Sequence, residues 1–224
     1  MARVIAFDVN ETLLDLSALD EPLGRVFGNA AVRPLWFAQM LQLSFVGAIT
    51  GQYVDFTACQ HGALRMLAAR TGTRLDPAAA EEIVSGMSRL PPHPEVPAAL
   101  RTLRRSGLPI AALTNSVLDV AEAQLGNAGL RDLFDAVLSA DTVRRPKPAP
   151  EPYQTVAARF ELPTGEVRLV AAHAWDVSGA LAAGCQAAFV ARPGMVPSPL
   201  GSQPDIVGPD LTAVVEQILE RDAR

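Results

Sequence analysis

A chain of 224 residues with 49% hydrophobic side chains is long enough for one large domain, or for a core with a smaller insert, and can bury a full interior. A formal net charge of −5 with no long basic run argues against a nucleic-acid-binding surface. Cys59 and Cys185 stand alone, with no CxxC or Cys/His ligand spacing, which argues against a disulfide framework or a zinc site.

The first residues enter a strand-like run directly, without a charged and apolar leader. No apolar stretch reaches the ~18 residues that span a bilayer. The expectation is a cytoplasmic protein with no membrane partner. Short runs at 4–7, 109–113, 136–138, 167–171 and 187–190 are mostly apolar on both faces, as parallel strands under helices are. Helical patterns at 96–105, 117–127, 150–160 and 177–183 alternate with them, and Gly107, Gly129 and Gly184 stand near helix ends. This alternation predicts a right-handed, doubly wound α/β fold with a parallel sheet. The C-terminus adds a short apolar piece at 206–207 and an amphipathic helix at 211–220. One segment breaks the pattern: from about 18 to 90 there is helical periodicity and no strand, followed by the stiff Pro91-Pro92-His93-Pro94. The predicted organisation is a core of residues 1–17 and 91–224 and a helical cap of residues 18–90. Placed after the first strand, such an insert lies over the C-terminal edge of the sheet, where it can exclude water.

Asp8 ends the first strand, where open α/β sheets place their chemistry. Asn10, two residues on, carries no charge. Three further polar stretches fall at predicted strand ends or just beyond: Thr114-Asn115-Ser116, Lys147-Pro148 with Tyr153, and His173-Ala174-Trp175-Asp176. Each has an ordinary reading beside a functional one. Thr12 suits a turn, Ser116 and Asp176 suit helix caps, Lys147 suits an exposed loop, and Tyr153 and His173 suit core positions with satisfied polar atoms.

Together, in this order, FDVNETLLDL, TNS, KP-x4-Y and HAWD resemble the haloacid dehalogenase superfamily, and within it the metal-free (S)-2-haloacid dehalogenase (type II) branch. The resemblance spans the whole chain and implies a Rossmann-like core with a helical cap after the first strand. It implies a hydrolase that releases halide from a small 2-haloacid, with no cofactor and no metal, and it suits a homodimer. Asp8 would be the covalent nucleophile, Lys147 the cation that keeps it ionised, and Asp176 the group that holds Lys147 or orients the hydrolytic water. Thr12 would hydrogen-bond Asp8 or bind the substrate carboxylate, and Thr114, Asn115 and Tyr153 would contact substrate, with Asn115 facing the halide.

Phosphoryl-transferring members carry a second Asp two residues after the nucleophile and a metal-binding acid shortly before the Asp176 position. Here these positions hold Asn10 and the stretch Ala171-Ala172-His173. The chain also departs from the dehalogenase pattern. The position of the halide-binding Arg is Phe37, with Arg33 four residues earlier as a candidate substitute. Ser-Ser-Asn is replaced by Ala171-Ala172-His173, and His173 could donate to substrate or polarise the hydrolytic water. Two other readings therefore stand beside the dehalogenase: a small-molecule phosphatase with an altered metal site, and a catalytically silent binding protein. The stripe Trp36, Phe37, Met40, Leu41, Ser44, Phe45 reads as insert core whose inner edge shapes an apolar pocket or a dimer contact.

Overall fold

A computed structural model describes residues 1–223; Arg224, the last residue of the expected core, lies outside the described residues. The strands are β1 (Val4–Phe7), β2 (Ile110–Thr114), β3 (Ala136–Ser139), β4 (Val167–Ala171), β5 (Gln186–Val190) and β6 (Ile206–Gly208). They form one sheet in the order β3-β2-β1-β4-β5-β6, and every neighbouring pair is parallel. Every residue of β1, β2 and β4 is buried, which explains their largely apolar character; Arg168 of β4 is buried in ion pairs with Asp205 and Asp222.

Side chains alternate across the sheet. Ile5 and Phe7 join one core with Leu100 and Leu103 of α5 (Val96–Arg104) and Val214 and Ile218 of α9 (Leu211–Asp222). Val4 and Ala6 join the opposite core with Tyr153 and Val156 of α7 (Pro150–Arg159) and Val177 and Ala180 of α8 (Ala174–Ala182). α6 (Leu118–Asn127) contributes Leu125 to the first core. Helices on both faces and a sheet that grows outward from β1 and β4 make this the expected doubly wound fold.

Between β1 and β2 the described residues contain no strand. They form α1 (Asp20–Phe27), α2 (Arg33–Thr50), α3 (Phe56–Thr71) and α4 (Pro77–Gly86) ahead of α5. Trp36, Met40, Leu64 and Ile83 from these helices belong to the same buried cluster as Phe7. The chain leaves and returns at one place: Asp15 N donates to the Pro91 carbonyl at 2.8 Å and His93 N to the Leu13 carbonyl at 2.9 Å.

Some sequence boundaries shift. β2 starts at Ile110, because Pro109 has no N–H to give a ladder, although its carbonyl accepts from Ile5 N at 3.0 Å. α8 begins at Ala174, three residues before the expected start. Asp176 is therefore in the first turn and is not the cap residue; that position is His173, without a capping side-chain bond. Ser116 is not a cap either, since Val117 precedes α6.

Gly179 of α8 faces the α7 side of the site: a Cβ there would lie 2.4 Å from Pro148 Cβ and 2.6 Å from Tyr153 Oη. Gly179→Ala is expected to lower stability by about 1–3 kcal/mol in urea unfolding through overpacking. An unchanged midpoint would contradict this close approach.

Candidate active site

Strand register gathers the polar residues. Phe7 pairs with Ala112 on one side and Val170 on the other, so the chain leaves β1, β2 and β4 at nearly one level. Asp8 N continues the ladder onto the Val170 carbonyl at 3.0 Å. Asp8, the Thr114–Ser116 turn and the Ala172-His173 turn thus meet at the C-terminal edge, where this topology opens a crevice.

At the centre is Lys147, 0% exposed. Its ammonium donates to Asp8 Oδ1 at 2.9 Å, to Asp176 Oδ2 at 2.6 Å and to the Leu113 carbonyl at 2.9 Å, so all three protons are used. Asn115 fixes the lysine backbone from across the crevice: its Oδ1 accepts from Lys147 N at 2.8 Å and its Nδ2 donates to the Lys147 carbonyl at 3.2 Å. Tyr153 Oη donates to Asp176 Oδ1 at 2.6 Å. The tyrosine is buried behind Asp176, supports that carboxylate and lines neither cavity described below.

The second oxygen of Asp8 accepts from Thr12 Oγ1 at 2.7 Å, and His173 Nδ1 lies 3.1 Å from it. Thr12 Oγ1 in turn accepts from Ala172 N at 2.9 Å and is fully buried, so it positions the acid from behind. The other imidazole nitrogen, Nε2, lies 2.9 Å from Glu11 Oε2. Two carboxylates on two ring nitrogens require both nitrogens to donate, which defines an imidazolium. The ring is stacked between Phe37 (5.4 Å, 13°) and Trp175 (5.2 Å, 26°), with aromatic faces toward the cation.

These contacts set the charges. Burial alone would raise the Asp8 carboxyl, but Lys147 and then His173 outweigh it and hold the acid well below the usual carboxylate range. Burial raises Asp176, and the negative charge of Asp8 adds to this. Of two acids sharing one ammonium, the one with the additional histidine cation is the more firmly ionised. Burial opposes the charged form of His173, yet its bonds to Asp8 and Glu11 bring it up to about 9.

Two cavities adjoin this cluster. The inner one has a volume of about 10 Å³, room for about one water molecule, and is walled by Asp8, Asn115, Lys147, His173, Phe37 and Trp175, with Asn10, Phe56 and Thr114 completing it. The outer one, about 700 Å³, reaches from Phe37, His173 and Trp175 outward past Glu11, Arg33 and Met195. The stacked rings therefore stand between the two. Asn10 is committed elsewhere, donating to Ser116 Oγ at 3.3 Å and accepting from Gln124 Nε2 at 2.8 Å.

Asp8, Asn115, Lys147, Thr114, His173 and Phe37 are thus brought together around the inner cavity, with Asp176, Thr12 and Tyr153 bonded to that group from behind. Arg33 is not. It lines only the outer cavity and is held by Glu11 Oε1 at 3.1 Å and Asp20 Oδ1 at 2.7 Å, so it does not reach the side of Asp8 that Phe37 covers. Glu11 is a residue that the sequence alone does not single out. Its role depends on a contact with His173, 162 residues away, which no local pattern signals. Its left-handed backbone (φ 59°) is rare for a residue with a Cβ and is the one local peculiarity. Trp175 lies within the HAWD motif, where sequence alone gives it no role. It forms part of both walls, packs edge-on against Phe45 at 5.5 Å, and has a buried indole N–H without a partner among the described residues.

The sequence profile of haloacid dehalogenase-like hydrolases matches residues 2–184, and the chain belongs to that family of hydrolases. Among its relatives, the chain is 32% identical to the (S)-2-haloacid dehalogenase of Pseudomonas sp. (strain YL), over 95% of this chain and 92% of that one. It is 30% identical to haloacetate dehalogenase H-2 of Moraxella sp. (strain B), over 96% and 97%. It matches the structure of L-2-haloacid dehalogenase from Xanthobacter autotrophicus with chloropropionic acid covalently bound with a TM-score of 0.91, at 27% identity, covering 99% of this chain and 100% of that one. No described helix is long and apolar enough to cross a membrane.

The buried imidazolium links stability to pH. Its folded value of about 9 lies above the ordinary 6.5, so the folded protein holds an extra proton between the two. The stabilisation, on the order of 3 kcal/mol, is complete below the lower value and lost as pH rises through the upper one. Unfolding free energies should fall across this interval in the wild type and much less in His173→Asn. Parallel curves for the two proteins would contradict the assignment.

Proposed function

We propose that this chain is a metal-independent dehalogenase that hydrolyses small 2-haloalkanoic acids through an ester on Asp8. The observation that carries the proposal is the Asp8 carboxylate, ionised by a fully buried lysine at 2.9 Å and facing a small, mostly enclosed cavity. A carboxylate so placed is an oxygen nucleophile at a fixed position. One of its oxygens attacks Cα of the substrate, the carbon–halogen bond breaks, and halide departs. Water then attacks the Asp8 carbonyl carbon and releases the 2-hydroxy acid. The relatives named for haloacids, one of them with chloropropionic acid covalently bound, support this reading.

Chain length agrees with the space available. The inner cavity has to expand even for a two-carbon acid, so the insert helices that supply Phe37 and Phe56 act as a cap over the site, in line with a cap of residues 18–90. Asn115 retains one amide proton beyond its bond to Lys147, and Trp175 retains its indole N–H. Both line the cavity and supply donors for the departing halide in place of the absent arginine. Where phosphoryl-transferring members have a second acid, Asn10 is hydrogen-bonded to Gln124 and Ser116, which favours displacement at carbon over phosphate chemistry.

Halide release from chloroacetate and 2-chloropropanoate is expected to persist in excess EDTA. It should fall by roughly 10³-fold or more in Asp8→Asn, as for loss of a covalent nucleophile. Full activity of Asp8→Asn, or turnover confined to aryl phosphates with added Mg²⁺, would overturn the proposal.

A further inference from the structure

The proposed reaction requires a base in its second half, and the site offers few. Asp176 is the obvious candidate, but its oxygens are occupied by Lys147 and Tyr153, and it does not line the inner cavity. Lys147 has all its protons engaged. Among the described residues lining that cavity, the one group besides Asp8 able to alternate between proton donor and acceptor is His173.

We propose that His173 is the general base that hydrolyses the Asp8 ester, with Glu11 as the positioning residue behind it. This rests on the covalent mechanism above and goes beyond it. Three observations on geometry support it. Acid, imidazole and second acid stand in line, with Nδ1 3.1 Å from Asp8 Oδ2 and Nε2 2.9 Å from Glu11 Oε2. This is the arrangement of reacting group, base and base-orienting carboxylate. The inner cavity, with room for about one water, is walled by both Asp8 and His173. Glu11 is itself fixed: Arg33 Nη1 donates to its other oxygen at 3.1 Å and His93 Nε2 to its carbonyl at 3.1 Å. These contacts hold its backbone in the left-handed region at φ 59°.

The charged groups around the ring explain when it acts. Asp8 and Glu11 face it directly, Lys147 lies beyond Asp8, and Arg33 beyond Glu11. In the resting protein both ring nitrogens are protonated. Displacement turns the Asp8 carboxylate into a neutral ester and expels halide. One of the two anions that favoured the imidazolium is then gone, while burial still opposes it. The Nδ1 proton leaves toward the outer cavity, which His173 also lines, and neutral imidazole faces the ester. Nδ1 then takes a proton from water as the water oxygen bonds to the Asp8 carbonyl carbon. The tetrahedral species collapses, the carbon–oxygen bond to the alkyl group breaks, and the alkoxide takes the Nδ1 proton to leave as 2-hydroxy acid. The new carboxyl returns its proton to Nδ1 and restores the ion pair. The sum is haloacid plus water to hydroxy acid, halide and one proton.

The test is rapid-quench halide release from chloroacetate by the wild type, His173→Asn and Glu11→Gln, with intact-mass analysis of each quenched protein. The expected result for His173→Asn is a burst of one halide per active site, then steady turnover about 10²- to 10⁴-fold below wild type. The protein should carry one carboxymethyl group on Asp8. Glu11→Gln should show the same burst with a smaller loss, and the burst itself shows that each variant is folded. Steady turnover near wild type without an adduct would overturn the proposal. So would a cooperatively folded His173→Asn with no burst, which would place the histidine in the first half-reaction. If that variant does not fold, a Glu11→Gln that turns over like wild type overturns it. A wild type that releases no halide at all would instead remove the dehalogenase reading on which this rests.

Discussion

One buried ammonium organises this molecule. Lys147 lies between two acids from opposite ends of the chain, Asp8 after β1 and Asp176 in α8, with no exposure to water. Such an arrangement is a poor route to stability, because removing three charges from solvent costs about as much as their attraction returns. Its value lies in what it does to one acid. Asp8 shares the lysine with Asp176 but also has the His173 cation beside it, which Asp176 lacks, so burial does not neutralise it. The fold serves this end through strand register, which brings β1, β2 and β4 to one level, and through Asn115 and Tyr153, which fix the lysine backbone and the second acid.

A carboxylate nucleophile has an inherent difficulty: once alkylated, it has lost the charge that held its surroundings together. In the proposed reaction that loss would act on the neighbouring imidazolium, which two carboxylates favour. The replacement of small polar residues by Ala171-Ala172-His173 and the placement of Phe37 and Arg33 are then connected. Phe37 forms one face of the imidazole clamp, Trp175 the other, and Arg33 secures the acid behind the ring. Residues that look like separate departures from the dehalogenase pattern are parts of one assembly.

Much of this was legible in the residues. The core strands could be read because a strand covered on both faces is largely apolar, Arg168 of β4, paired with Asp205 and Asp222, being an exception, and the polar residues of the site fall at or beyond strand ends, which exposes Asp8, Asn115 and Asp176 to inspection. Lys147 was legible as a motif, but its burial was not. The tertiary pairings were hidden. Asp176 suits a cap in sequence, yet α8 starts two residues before it. Arg33 lies one turn from Phe37, yet it turns to Glu11 and Asp20. The Glu11–His173 contact joins a loop after β1 to a turn after β4, and only the sheet order brings these together.

In the proposed reaction an amine-stabilised Asp8 forms and loses a covalent bond in each turnover. The most direct test is a single turnover in H₂¹⁸O with enzyme in excess over chloroacetate, followed by mass analysis of the peptide that contains Asp8 and of the product. The heavy oxygen is expected first in the Asp8 carboxylate, with the first hydroxy acid released unlabelled. Heavy oxygen in that first product, with an unlabelled Asp8, would mean that water attacks the substrate directly and that Asp8 is not the nucleophile.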